Sequence, residues 1–135
     1  MRHTLATISA AFASLMLAAL GVWPASALAA APIVTPVVTG CSSVSLQHQC
    51  RVLNAGTAAA AVTIEIVDAV SGLVVGTQDP LVSPGRSGVA TVSSSDLGAC
   101  TSYCRVSGIS KNKARVTHCA TNLNATTCES TVTMP

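Results

Sequence analysis

All six cysteines of the chain, Cys41, Cys50, Cys100, Cys104, Cys119 and Cys128, stand downstream of an apolar leader, and this limits the fold more than any other feature of the sequence. An even set of cysteines beyond an export signal reads as a disulfide framework. The leader itself is the uncharged run Leu5 to Val22 behind Arg2 and His3, closed by Pro24 and by Ala27-Leu28-Ala29, small residues of the kind a signal peptidase reads. The expected organisation is therefore a signal peptide over 1–29 and a single exported domain over 30–135, with no membrane span after cleavage. An uncleaved anchor is the competing reading, because the run is just long enough to enter a bilayer. Val38-Thr39-Gly40-Cys41 also resembles a lipidation box, but Pro24, Pro32 and Pro36 separate it from the apolar run, and acylating Cys41 would leave an odd number of cysteines.

Removing the leader takes away Phe12 and Trp23 and leaves Tyr103 as the sole aromatic residue. A core made of Val, Ile, Leu and Ala buries less area per residue than one with rings, and a domain this small hides a modest share of its surface. Cross-links are the expected remedy, each contributing about 2–4 kcal/mol. Spacing leaves the pairing open: Cys41 with Cys50 and Cys119 with Cys128 are evenly spaced pairs, and Cys104 with Cys119 is an alternative across a hairpin.

Strand periodicity recurs along the exported part. Val44, Leu46, His48, Cys50 and Val52 alternate with Ser45, Gln47, Gln49 and Arg51, and Val62, Ile64 and Ile66 alternate with Thr63, Glu65 and Val67. Leu73 to Thr77, Val89 to Ser93, Thr131 to Thr133 and Ile33 to Thr39 read as further strands. Tyr103 to Ile109 and Ala114 to Thr121 flank Ser110-Lys111-Asn112-Lys113, a hairpin signature. About seven or eight short strands and no convincing helix predict an all-β fold, an immunoglobulin-like antiparallel β-sandwich stapled by disulfides.

Cys50-Arg51-Val52-Leu53-Asn54-Ala55-Gly56, the run Val62 to Asp68, the Pro84-Gly85 turn, Tyr103-Cys104-Arg105-Val106 and Arg115-Val116-Thr117-His118-Cys119 together resemble small exported bacterial β-sandwich proteins of uncharacterised function. The resemblance implies a sandwich, and it carries no functional residue across.

The chemistry-bearing residues exclude more than they nominate. His48 and His118 each stand near a cysteine, but the Cys, His, Met order of a copper sandwich is absent, so no metal or other cofactor is expected and both histidines read as strand residues with local hydrogen bonds. Cys100 to Cys104 is one residue too long for a thioredoxin-type motif, and neither Gly85-Arg86-Ser87-Gly88 nor Gly108-Ile109-Ser110-Lys111 has the spacing of a nucleophile elbow. No catalytic residue is nominated. Formal charge beyond the leader is near balance, Arg51, Arg86, Arg105, Lys111, Lys113 and Arg115 against Glu65, Asp68, Asp79, Asp96 and Glu129, which argues against nucleic acid as partner. Arg105, Lys111, Lys113 and Arg115 form the one local cluster, expected at a hairpin tip and taken as the candidate contact with an unknown protein or envelope component. The resulting expectation is a non-enzymatic binding or structural module in the periplasm or the extracellular medium. The alternative is a secreted inhibitor of a foreign protease or glycosidase, with Asp79 to Gly88 or Asp96 to Cys104 as its inserting loop.

Overall fold

The computed structural model describes residues 30–41, 46–122 and 130–134, the last segment and Asn122 by backbone alone. The expected leader, Val44 and Cys128 lie outside the described residues. Antiparallel strands dominate: β1 (Ile33–Val34), β2 (Val38–Thr39), β3 (Leu46–Asn54), β4 (Ala60–Ala61), β5 (Thr63–Asp68), β6 (Val74–Gln78), β7 (Leu81–Val82), β8 (Ser87–Ser93), β9 (Thr101–Ser107), β10 (Ala114–Asn122) and β11 (Ser130–Met134). Three short 3-10 turns, at Ser94–Asp96, Gly98–Cys100 and Lys111–Lys113, join them where the chain changes direction.

Two sheets face each other. One runs β1-β9-β5-β6, with β2 continuing along the same edge of β9 as β1, and the other runs β11-β10-β3-β8. A two-stranded ribbon of β4 and β7 closes one end. The alternation that marks β3 as a strand also sorts its side chains, so that Leu46, His48, Cys50 and Val52 point inward. In β5 the same rule buries Ile64 and Ile66; Val67, beyond a register shift, is also buried although it stands opposite the outward Tyr103.

Among the described residues the core holds no Phe, Tyr or Trp. Tyr103 alternates outward between the buried Ser102 and Cys104. Cys50 of β3 and Cys104 of β9, both without exposed surface, form a disulfide across the core with their Cα atoms 5.8 Å apart. The bridge joins one sheet to the other inside the core. Ile64, Ile66, Val52, Val106 and Val116 fill the space around it. A second disulfide, Cys41 to Cys100, ties the end of β2 to the turn before β9. Cys119 is also disulfide-bonded, with a partner outside the described residues.

The hairpin expected around Ser110 to Lys113 does not form. β9 pairs with β5 and with β1 and β2, whereas β10 pairs with β3 and β11, so the Gly108–Lys113 link crosses from one sheet to the other. Each strand has a fully buried inward face, and placing them in opposite layers lets both faces meet in the core, with Cys104 against Cys50. The pairing Cys104 with Cys119 fails for that reason. Cys41 with Cys50 fails because Cys50 points inward and Cys41 lies at the surface.

Candidate functional site

Residues 30–41 form a strap along the outer edge of β9. Ile33 and Val34 stand opposite Val106 and Arg105, and Val38 and Thr39 opposite Ser102 and Thr101. Between them Pro36 breaks the ladder. Thr35 repairs the gap: its N–H donates to the Cys104 carbonyl at 3.0 Å and its hydroxyl accepts from the Cys104 N–H at 3.0 Å.

Beneath the strap lies a polar cluster in an otherwise apolar interior. His48 on β3, Ser102 on β9 and His118 on β10 have no exposed surface, and Thr35 is buried beside them. Ser102 Oγ lies 2.7 Å from His48 Nδ1 and 3.0 Å from His118 Nε2. The outer nitrogens reach the strap: His48 Nε2 lies 3.4 Å from the Gly40 carbonyl, and His118 Nδ1 lies 3.4 Å from Thr35 Oγ1. The ring centroids are 6.0 Å apart. These are the rings that an aromatic-poor core otherwise lacks.

One direction of donation satisfies every group. The Gly40 carbonyl only accepts, so His48 Nε2 carries the proton and Nδ1 is bare. Ser102 then donates its hydroxyl proton to His48 and accepts from the Nε2–H of His118. His118 Nδ1 is left as an acceptor, facing the Thr35 hydroxyl, whose proton it shares with the Pro36 carbonyl 3.1 Å away. Both imidazoles are neutral in this arrangement.

Burial accordingly lowers the pKa of both. For His118, desolvation and then the charge of His48 bring it from 6.5 to about 4, against a smaller raising effect of the Pro36 carbonyl. For His48, desolvation lowers it and the hydrogen bond to Gly40 opposes. Between about pH 6.5 and 4 the unfolded chain therefore holds protons that the fold refuses, so stability must fall as the pH is lowered through that window. His118 alone is expected to contribute a loss of up to about 3 kcal/mol. Denaturant titrations at stepped pH should show the unfolding midpoint dropping below about pH 6.5 and levelling near pH 4; a flat profile would refute a neutral buried pair.

The cluster can store or refuse protons, and the strap covers it. Its hydrogen bonds reach across the chain, so the expectation of merely local bonds is corrected while the strand placement stands. The sulfurs beside the histidines, on Cys50 and Cys119, are in disulfides. Among the described residues no group of three or more His, Cys, Asp or Glu converges as a metal site.

The four basic residues do not share a tip. Arg105 leaves the outer face of its sheet and pairs with Glu65 on β5, Nε to Oε2 at 2.6 Å. Arg115 leaves the outer face of the opposite sheet, and only Lys111 and Lys113 stay together on the crossover. Of the two loops considered for insertion, Asp96 to Cys104 runs through a 3-10 turn into the start of β9 and is pinned by both disulfides. Asp79 to Gly88 carries the exposed Leu81, with Asn54 Nδ2 bracing the Val82 carbonyl at 2.8 Å.

Ser102 and Thr35 had no signal in the sequence, since their role depends on β9 and the strap running side by side. Asp68 was likewise counted only as a charge. It is buried, and its carboxylate accepts from the amides of Val70 at 2.7 Å, Ser71 at 3.0 Å and Gly98, locking the β5–β6 turn to the turn before β9. Those amide bonds hold its pKa below the usual carboxylate value. Among the described residues no helix is long and apolar enough to cross a membrane. Comparison with known protein families, curated proteins and solved structures finds no match.

Proposed function

We propose that the chain is an exported, non-enzymatic binding module on an immunoglobulin-like sandwich, acting at the cell envelope or outside the cell. One observation carries the reading: the imidazoles and hydroxyl best suited to chemistry, on His48, His118 and Ser102, are spent on one another with no exposed surface. What the molecule offers to a partner is then its surface loops. The disulfide between β3 and β9 supports an immunoglobulin-like arrangement, in which a bridge joins the two sheets through the core. Lys111 and Lys113 on the crossover are the contact we favour, because Arg105 is already neutralised by Glu65.

Expression of the full chain in an exporting bacterium, followed by intact mass before and after reduction, is expected to give a product beginning at Ala30 with all cysteines oxidised. Envelope fractions should retain that product and retain less of a Lys111→Ser/Lys113→Ser variant. Equal retention of the variant would remove the crossover as the contact, and no retention of either protein would sink the envelope reading. The braced, protruding Leu81 favours a second reading, an inhibitor that inserts this side chain into a foreign enzyme. A panel of secreted proteases and glycosidases separates the two, since only an inhibitor loses potency on Leu81→Asp.

A further inference from the structure

The strap and the cluster beneath it form one device. We propose that residues 33–39 are an acid-released latch: protonation of the His48–His118 pair detaches them from β9, while the Cys41–Cys100 disulfide keeps them tethered.

The argument starts from donors and acceptors. In the neutral cluster each imidazole has one bare nitrogen facing a hydroxyl that donates to it, Ser102 to His48 and Thr35 to His118. A proton added at His48 Nδ1 leaves the Ser102 hydroxyl proton without its acceptor, and one added at His118 Nδ1 turns the Thr35 hydroxyl wholly onto the Pro36 carbonyl. Either proton also places positive charge in a dry interior within 6.0 Å of the second ring. Among the described residues no carboxylate is free to balance it. From β3 and β10 the titratable groups facing the pair are the two histidines themselves; β9 brings Ser102 and the disulfide-bonded Cys104, β8 brings Val92, and the strap brings Thr35 and Gly40. Asp68 on β5 stands opposite Ser102 in register, but its carboxylate is held by the amides of Val70, Ser71 and Gly98. Side chains of β11 lie outside the described residues.

Relief has to come from water, and the layers around the cluster differ in how easily they admit it. β3 lies between β8 and β10, β10 between β3 and β11, and β9 has β5 on its inner side. The strap is an edge made of two two-residue ladders interrupted by Pro36, with Ile33, Thr35 and Val38 as its buried anchors. It is also the element that His48 and His118 touch directly, through Gly40 and Thr35. It therefore yields first. Cys41, at its end, remains bonded to Cys100, so the released segment stays beside its seat and returns when the protons leave.

Hydrogen exchange of the oxidised protein, corrected for intrinsic rates, tests this at about pH 7 and about pH 4.5. Protection at residues 33–39 is expected to fall by about tenfold or more in acid while β5 and β8 keep theirs, and to recover on neutralisation. Retained protection of the strap at the lower pH would overturn the proposal, and so would parallel loss in β8, which signals global unfolding. A His118→Gln variant that folds should hold or release the strap equally at both pH values; an undiminished acid response in it would also overturn the latch. Because a core substitution can prevent folding, the comparison of strap with β8 in the unaltered protein is decisive by itself.

Discussion

Replacing Cys50 and Cys104 together by alanine is expected to lower the unfolding free energy by about 4 kcal/mol, enough to leave a domain of ordinary stability close to its midpoint at body temperature. The loop it closes spans 54 residues, and chain entropy alone sets that magnitude. Chain entropy also assigns nearly the same value to Cys41–Cys100, whose separation is 59 residues. The two are nevertheless expected to differ. Cys50 and Cys104 join the two layers within the buried core, so opening there exposes the core itself. Cys41 fastens an edge strap that can leave by itself. In addition, Ala99 and Cys100 adopt left-handed backbone angles, φ 51° and 50°, at a cost of about 1 kcal/mol each, and losing the bridge lets them relax. Denaturant midpoints of the two double variants should therefore separate clearly, with the core pair far lower; equal midpoints would mean that the entropy of the unfolded chain is the whole effect.

Gly108→Ala is the single substitution expected to cost most outside the cysteines, about 3 kcal/mol. Gly108 leaves β9 at φ +84°, and a Cβ there would run into the carbonyl oxygen of Ala61 in β4. That carbonyl belongs to backbone in the end ribbon and has no soft side chain to yield. Gly72→Ala is the matched control, because its φ of +72° is similar while nothing lies within 4 Å of the added carbon. Only the backbone cost of about 1 kcal/mol remains there. Thermal unfolding of the pair separates collision from conformation: similar losses would show that the close approach to Ala61 is easily relieved.

The strands were legible where one face is buried. The alternation from Leu46 to Val52 and from Val62 to Ile66 is the direct imprint of a sheet with one dry side, and it placed His48 inward before any partner was known. Pairing was not legible, because nothing in the spacing of Tyr103 to Ile109 and Ala114 to Thr121 records that the two segments lie in opposite layers. The turn chemistry at Ser110 to Lys113 fits a hairpin and an inter-sheet crossover equally well. The error over the hairpin then propagated into the basic tip, since Arg105 and Arg115 share a neighbourhood only if their strands pair. β4 and β7 left no trace, being two residues each with no room for a period. The cluster was half legible: two histidines at strand positions could be seen, but Ser102 and Thr35 meet them only through tertiary contacts between segments far apart in sequence.

The two described disulfides interleave, with Cys41 bonded to Cys100 and Cys50 to Cys104, and this sets how the molecule would carry tension. A pull applied to the two ends of the chain travels from Cys41 through its sulfur to Cys100 and onward along the start of β9 to Cys104. The long stretch from β3 to β8 is bypassed by covalent bonds and bears none of the load. Stretching would peel the strap and draw out the segment beyond β9, then stop, leaving a knot of cross-linked chain whose contour cannot lengthen without breaking a sulfur–sulfur bond. A protein held at both ends would thus behave as a short inextensible link with two yielding tails.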